Sequence, residues 1–185
     1  MMLGQTAPAR WTAPDGPWTE PDLHLFPQDG HRYEIVDGAL HVTPPQDRRH
    51  ETAVRALVTA LRGAAPAGWW VCDRLGIEFA GHNLIPDVAV LRPQSSGATW
   101  AHPADVALVV EVEAPATRRY DRLLKPALYA EAGIPSFWRV EPGPEVHEYA
   151  LDPRAGYTLT RTLHGTERVR LDAPYPVWLA AATLG

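Results

Sequence analysis

An α/β fold is predicted, with a covered central strand, two helices and a β-hairpin toward each end of the chain. Three observations carry it. The stretch Val106 to Glu113 reads VALVVEVE and is apolar almost without interruption until its end, the pattern of a strand buried on both faces. Two segments carry helix start or stop signals, Asp47 to Arg62 and Asp121 to Ala132. Two short pairs of strand-like stretches are separated by the turn dipeptides Asp37-Gly38 and Asp152-Pro153.

The elements follow in order. Residues 1–18 read as a flexible N-terminal arm, rich in proline and holding Trp11 and Trp18, and 19–185 as a single domain. Up to residue 30 only Thr19 to Phe26 looks ordered, because Thr19 can cap a short helix with Asp22 three residues on. Tyr33 to Val36 and Ala39 to Val42 form a hairpin across Asp37-Gly38, a pair that accepts the positive φ angles of a type I′ turn. Asp47 caps a helix whose buried stripe is Val54, Leu57, Val58 and Leu61, and Gly63 and Pro66 stop it. Strands are expected over Trp69 to Phe79, Leu84 to Leu91 and Val106 to Glu113. The second helix ends at Gly133, with Pro135 beyond it. Ser136 to Val140 is another strand, and Val146 to Leu151 pairs with Tyr157 to Leu163 in the C-terminal hairpin. No repeat or low-complexity segment interrupts the chain.

Composition excludes several classes. The chain has 185 residues, of which 45% are hydrophobic, enough for one substantial core. Its one cysteine, Cys72, cannot form a disulfide framework or a cysteine zinc site within the chain. With no signal peptide and no apolar stretch of about 18 residues, a soluble cytoplasmic protein without membrane contact is expected. A net charge of −5 is unlike the basic domains that bind nucleic acid constitutively. Lys125 is the only lysine among 17 basic residues, the rest being arginine. An ammonium is a compact charge that suits a place beside a reacting oxygen, whereas a guanidinium is a planar fork.

Acidic residues gather at strand ends. Residues two apart on a strand share a face, so Glu111 and Glu113 point the same way. Carboxylates set against so much apolar surface cost several kcal/mol, on the order of magnitude, unless a cation or donor compensates them. Asp87 stands 24 residues before Glu111 at the head of Val88-Ala89-Val90-Leu91, and the two converge if their strands are neighbours. Converging carboxylate oxygens suit Mg²⁺ or Mn²⁺, and Lys125 could then polarise water or clamp a phosphate. A residue before proline is pushed away from the α region, so Lys125 should mark a helix start or a kink. Plainer readings stay open: a solvated strand edge for Glu113, and for Lys125 a surface pair with Asp121 that stabilises by roughly 0.2–0.5 kcal/mol. His50 lies four residues before Val54 and should face the sheet, either as a satisfied core histidine or as a water-positioning group. The other seven histidines show no metal-ligand spacing. Arg118, Arg119 and Arg122 could hold phosphates or simply form a solvated helix start.

The segment VVEVEAPATRRYDRLLKPALYAEAGIPSFWRVEP, with PDVAV and RYEIVDGAL upstream of it, resembles the Uma-two family of bacterial restriction-endonuclease proteins within the PD-(D/E)XK nuclease superfamily. The resemblance covers about Thr19 to Leu179. It implies a restriction-endonuclease-like core, a mixed β-sheet flanked by α-helices, with a divalent-metal site that hydrolyses phosphodiesters. By position, Asp87 and Glu111 match the metal-binding acids. Glu113 stands where the motif lysine is expected, and Lys125 matches a lysine on the following helix, as though the amine had moved while its tip still reached the site. Asp121 matches the acid one turn earlier, Glu34 the first acidic position and His50 a histidine on the first helix. Serines usual after the acidic motif are Ala114 and Ala116 here.

The expected function is a metal-dependent endonuclease acting on DNA, with Mg²⁺ or Mn²⁺ as cofactor, Asp87 and Glu111 as ligands, Lys125 as water or phosphate partner, and Glu113, Glu34 and His50 as further candidates. Two rivals stand beside it: a catalytically silent nuclease-fold binding module, and a hydrolase of small phosphorylated substrates. A homodimer is open, since many nucleases pair to cut two strands, but no element announces an interface.

Overall fold

The chain passes back and forth between two sheets, and two of those passages fall inside stretches expected to be single strands. The computed structural model describes residues 13–93, 95, 99–143 and 145–185, so most of the expected arm, residues 1–12, lies outside the described residues. From Pro17 onward the chain is held. Pro17 packs so close to Gly38 that a Cβ there would lie 2.4 Å from it, and the Trp18 N–H donates to the Gly38 carbonyl at 2.8 Å.

Helix α1 (Glu20–Leu23) is short and opens on the Thr19–Asp22 pair, Asp22 Oδ2 accepting from the Thr19 N–H at 2.8 Å and its hydroxyl at 2.7 Å. Strands β1 (Arg32–Val36) and β2 (Ala39–Thr43) form the expected hairpin, with φ of +50° at Asp37 and +71° at Gly38. Phe26 stacks on Tyr33 at 4.1 Å and ties α1 to it. Helix α2 (Arg48–Ala64) begins at Asp47, whose carboxylate accepts from the His50 N–H at 2.9 Å, and it buries the stripe read from its spacing.

The strand expected over Trp69 to Phe79 is two strands, β3 (Trp70–Asp73) and β4 (Gly76–Phe79), in different sheets. Arg74 between them has φ +54°, a turn that redirects the chain. Gly76 then passes against Trp100, whose ring would meet a Cβ at 2.2 Å. The strand expected over Leu84 to Leu91 divides likewise into β5 (His82–Leu84) and β6 (Val88–Leu91). Pro86 offers no N–H to continue a ladder. Both faces of both pieces are buried, so apolarity alone could not reveal the break.

After β7 (Trp100–Ala101) comes the central strand β8 (Val106–Val112), every residue buried. The second helix is helical over its expected length but irregular. Tyr120–Leu124 is a π turn, with the Lys125 N–H donating to the Tyr120 carbonyl, and α3 (Lys125–Glu131) follows. Pro126 cannot supply the N–H that a regular α-helix would aim at residue 122, and the wider turn accommodates that loss. Lys125 is the helix start expected of it, yet it keeps α dihedrals of −57° and −45°. Strands β9 (Ser136–Glu141), β10 (Glu145–Asp152) and β11 (Gly156–His164) complete the large sheet, and β12 (Val169–Leu171) and β13 (Val177–Leu179) pair with each other.

The large sheet runs β11-β10-β9-β8-β6-β3 and the smaller one β2-β1-β5-β4-β7. Strand β8 is parallel to β9 and antiparallel to β6, so the sheet is mixed. Leu108, Val110 and Val112 face α2 in one core, whereas Val109 joins Leu128, Tyr129 and Phe137, with Ile77 and Leu84 of the smaller sheet, in the other. Alternation therefore turns Glu111 and Glu113 toward α3.

Candidate active site

Strands β6 and β8 pair Val88 with Val110, and the next register position sets Asp87 opposite Glu111. Each carboxylate has one oxygen held by fixed donors. Asp87 Oδ2 accepts from the Val112 N–H at 2.8 Å and from His50 Nε2 at 3.1 Å. Glu111 Oε1 accepts from Lys125 Nζ at 2.9 Å and from the Tyr129 hydroxyl at 2.7 Å. The two remaining oxygens face one guanidinium: Arg32 Nη2 donates to Asp87 Oδ1 at 2.5 Å, and Nη1 lies 4.0 Å from Glu111 Oε2.

Glu34 completes the group from β1. Its Oε1 accepts from the Ile85 N–H at 2.7 Å and lies 3.1 Å from Lys125 Nζ, while its Oε2 is buried with no hydrogen-bond partner among the described residues. Lys125 is 1% exposed, which excludes the surface pairing with Asp121. Asp121 instead accepts from the Thr117 hydroxyl at 2.5 Å. Asp87, Glu111, Glu34, His50 and Lys125 are thus brought together.

Glu113 is engaged elsewhere. Arg122 forks onto it at 2.5 and 2.9 Å, Arg139 Nε lies at 3.1 Å and Arg118 Nε at 3.7 Å. Its carboxylate is buried at the strand end inside an arginine cage, and Arg122 also holds Glu141 at 2.6 Å. Of the three arginines read as phosphate holders, two are therefore turned partly to internal acids.

Two members of the site escaped sequence reading, Arg32 and Tyr129. The signal for Arg32 was present, because the alternation that turns Glu34 inward also turns inward the residue two before it. Tyr129 lies one turn after Lys125, on the same helix face.

The electrostatics follow from burial. Four carboxylates, Glu34, Asp87, Glu111 and Asp121, share the interior with the permanent cations Arg32 and Lys125. For Asp87, burial alone would raise the pKa, but Arg32, His50 and Lys125 outweigh it and hold the carboxyl below its ordinary range. Glu111 is pushed up to about 8 by burial and by the charges of Asp87 and Asp121, against the pull of Lys125 and Arg32. Lys125, although buried, is held above its usual value by Glu111 and Glu34, so its ammonium stays charged.

Among the described residues no three Asp, Glu, His or Cys side chains form a ready metal cage. The donor set nonetheless fits a hard divalent ion that keeps several waters and takes one or two carboxylates. Asp87 Oδ1 and Glu111 Oε2 would hold it, and the unpartnered Glu34 Oε2 favours added positive charge. A groove of about 470 Å³, lined by His24, His31, Arg74 and Trp100, opens onto Arg32. A second, of about 680 Å³, lies on the His50 and Glu113 side.

The sequence model of the Uma2 (Uma-two) family, described as "Putative restriction endonuclease", matches residues 20–183. This chain belongs to the Uma2 family. Among solved structures, a protein from Anabaena variabilis described as a putative nuclease belonging to DUF820 superposes with a TM-score of 0.68 at 16% identity, covering 91% of this chain and 97% of that one. At that identity the likeness establishes the fold, a restriction-endonuclease-like α/β core. No curated protein matches the sequence. In this Uma2 chain no helix among the described residues is long and apolar enough to cross a membrane.

Proposed function

We propose that this chain is a metal-dependent endonuclease that hydrolyses DNA phosphodiester bonds, with Asp87 and Glu111 as ligands of Mg²⁺ or Mn²⁺ and Lys125 as an assisting group. One observation carries the reading: each acid has one oxygen pinned by fixed donors and presents the other to the same guanidinium, that of Arg32. Such an ion, when bound, supplies an activated water and neutralises charge on the phosphoryl oxygens.

The chain's own groups prepare that point. His50 and the Val112 N–H orient Asp87, and Lys125 and Tyr129 orient Glu111. An ammonium held charged between Glu34 and Glu111 cannot take a proton from water, so Lys125 acts through its field and its grip on Glu111 rather than as a base. Arg32 and Arg74 border the groove on one side, where a phosphodiester would lie, and local basic residues of this kind can serve a protein whose total charge is negative.

Incubation of the purified protein with linear, supercoiled and single-stranded DNA, with and without Mg²⁺ or Mn²⁺, tests the reading. Absence of cleavage on every substrate, or undiminished cleavage by Asp87→Ala, would overturn it. The second reading, a nuclease fold that binds without cutting, is favoured by the Arg32 guanidinium at the proposed metal position and by the net charge of −5. Under that reading a Mn²⁺ titration shows no site dependent on Asp87 and Glu111.

A further inference from the structure

We infer that Arg32 is a displaceable internal counter-cation, which occupies the point between Asp87 and Glu111 until a divalent ion replaces it and frees the guanidinium for the phosphate groove. The inference rests on the metal-dependent reading proposed above and gives a role to Arg32, which opens the RYEIVDGAL segment but received none from the resemblance. The two oxygens of each acid are unequally attached. Asp87 Oδ2 is held by a backbone N–H and by His50, and Glu111 Oε1 by Lys125 and Tyr129. None of these donors needs to move for an ion to enter. The opposite oxygens, Asp87 Oδ1 and Glu111 Oε2, meet only the fork of Arg32 in the ion pairs of this cluster.

Arg32 itself is the least enclosed member. Its side chain is 12% exposed, against 3% for Asp87, 1% for Glu111 and 2% for Lys125. It comes from the smaller sheet, whereas Glu111 stands on the large one and Asp87 just ahead of strand β6 of that sheet, and among the described residues its one further hydrogen bond from the side chain goes to the Ile85 carbonyl at 3.0 Å. It also lines the groove bordered by His24, His31, Arg74 and Trp100, so a rotation about its own side chain carries it from the acids into open space. A guanidinium cannot lose its proton to make room. Ion and guanidinium must therefore exclude each other, and metal affinity should report the competition.

The test is a Mn²⁺ titration followed by electron paramagnetic resonance and calorimetry on the full chain. Arg32→Gln should bind Mn²⁺ at least roughly tenfold more tightly than the unaltered protein. Arg74→Gln, which removes a positive charge from the same groove without vacating the acids, should change affinity less than about threefold. Equal affinity in Arg32→Gln, or an equal gain in Arg74→Gln, overturns the inference while leaving a metal site intact. No Mn²⁺ binding in any variant overturns the metal-dependent reading together with it. Should Arg32→Gln fail to fold, crystals of the unaltered protein soaked in Mn²⁺ decide the matter. An anomalous peak between the acids with Arg32 turned into the groove supports the inference, and a peak with Arg32 still bonded to Asp87 overturns it.

Discussion

Lys125 Nζ donates to Glu111 Oε1 across 2.9 Å, and both side chains are almost completely buried. An ammonium in this place serves two carboxylates, because Glu34 Oε1 is 3.1 Å away on its other side. Removal of one partner from a buried pair costs roughly 3–5 kcal/mol, since a charge is left uncompensated. Lys125→Met is expected to lose about that much stability in denaturant unfolding of the metal-free protein. Lys125→Arg keeps the charge but forces a larger planar group among packed neighbours, and should cost about 1–3 kcal/mol. In a cleavage assay it should lower turnover by on the order of a hundredfold or more, with Mn²⁺ affinity little changed. Full turnover in Lys125→Arg would remove the lysine from the mechanism.

Glu113 permits a direct test of whether the strand position could take back an amine. Glu113→Lys would restore the residue the nuclease motif expects there, but it would add a fourth cation to Arg118, Arg122 and Arg139. The expected result is a loss of roughly 3–5 kcal/mol and no gain in cleavage, read by thermal unfolding and the same DNA assay. Unchanged stability would mean that the arginine cage does not depend on its acid.

Asp121 gives a pH dependence with a definite sign. Burial raises its pKa from the ordinary 3.8 to about 6, with Lys125 and the Thr117 hydroxyl pulling the other way and Asp87 and Glu34 adding to the rise. The folded state therefore binds more protons than the unfolded state between about pH 4 and 6. Its contribution to stability is fully present below the unfolded value and is lost as pH rises through about 6. Asp121→Asn should match the unaltered protein near pH 4 and exceed it by about 1–3 kcal/mol at pH 8. An unaltered slope in the variant would assign the pH dependence to another group.

Divalent ions should stabilise the fold as well as serve catalysis. Binding to the native state alone adds about 2.7 kcal/mol at a ligand concentration of 100 times Kd. A rise in Tm with Mn²⁺ is expected for the unaltered protein and not for Asp87→Ala. An equal rise in both would place the ion elsewhere.

How much could be read beforehand differed by element, for physical reasons. The first hairpin, α2 and β8 were legible because each carries its own local signal: Asp37-Gly38 with its positive φ angles, the Asp47 cap with its stripe, and one uninterrupted apolar run. The two changes of sheet that fall inside expected single strands were not, since at the second of them Leu84 and Val88 are equally buried and burial does not record which sheet provides it. Among candidate site residues, Asp87 and Glu111 were expected to converge if their strands are neighbours, and β6 and β8 do pair. The tie between Lys125 and Glu34 needed tertiary structure, as those residues are 91 positions apart in sequence. Arg32 was overlooked for a different reason: one among sixteen arginines draws no notice, and its meaning lies in the alternation it shares with Glu34.

The π turn over Tyr120–Leu124 makes the helix one residue richer than a regular turn before Lys125. Each residue of an α-helix advances the direction of its side chain by about 100°, so that surplus sets the angle between the arginine-bearing segment ahead of it and the lysine face behind it. The turn thereby fixes where Lys125 and Tyr129 face relative to Arg118 and Arg119. Behind it a four-carbon stem on the helix delivers the Lys125 nitrogen between Glu111 and Glu34, while the strand position to which the family resemblance gives an amine holds Glu113.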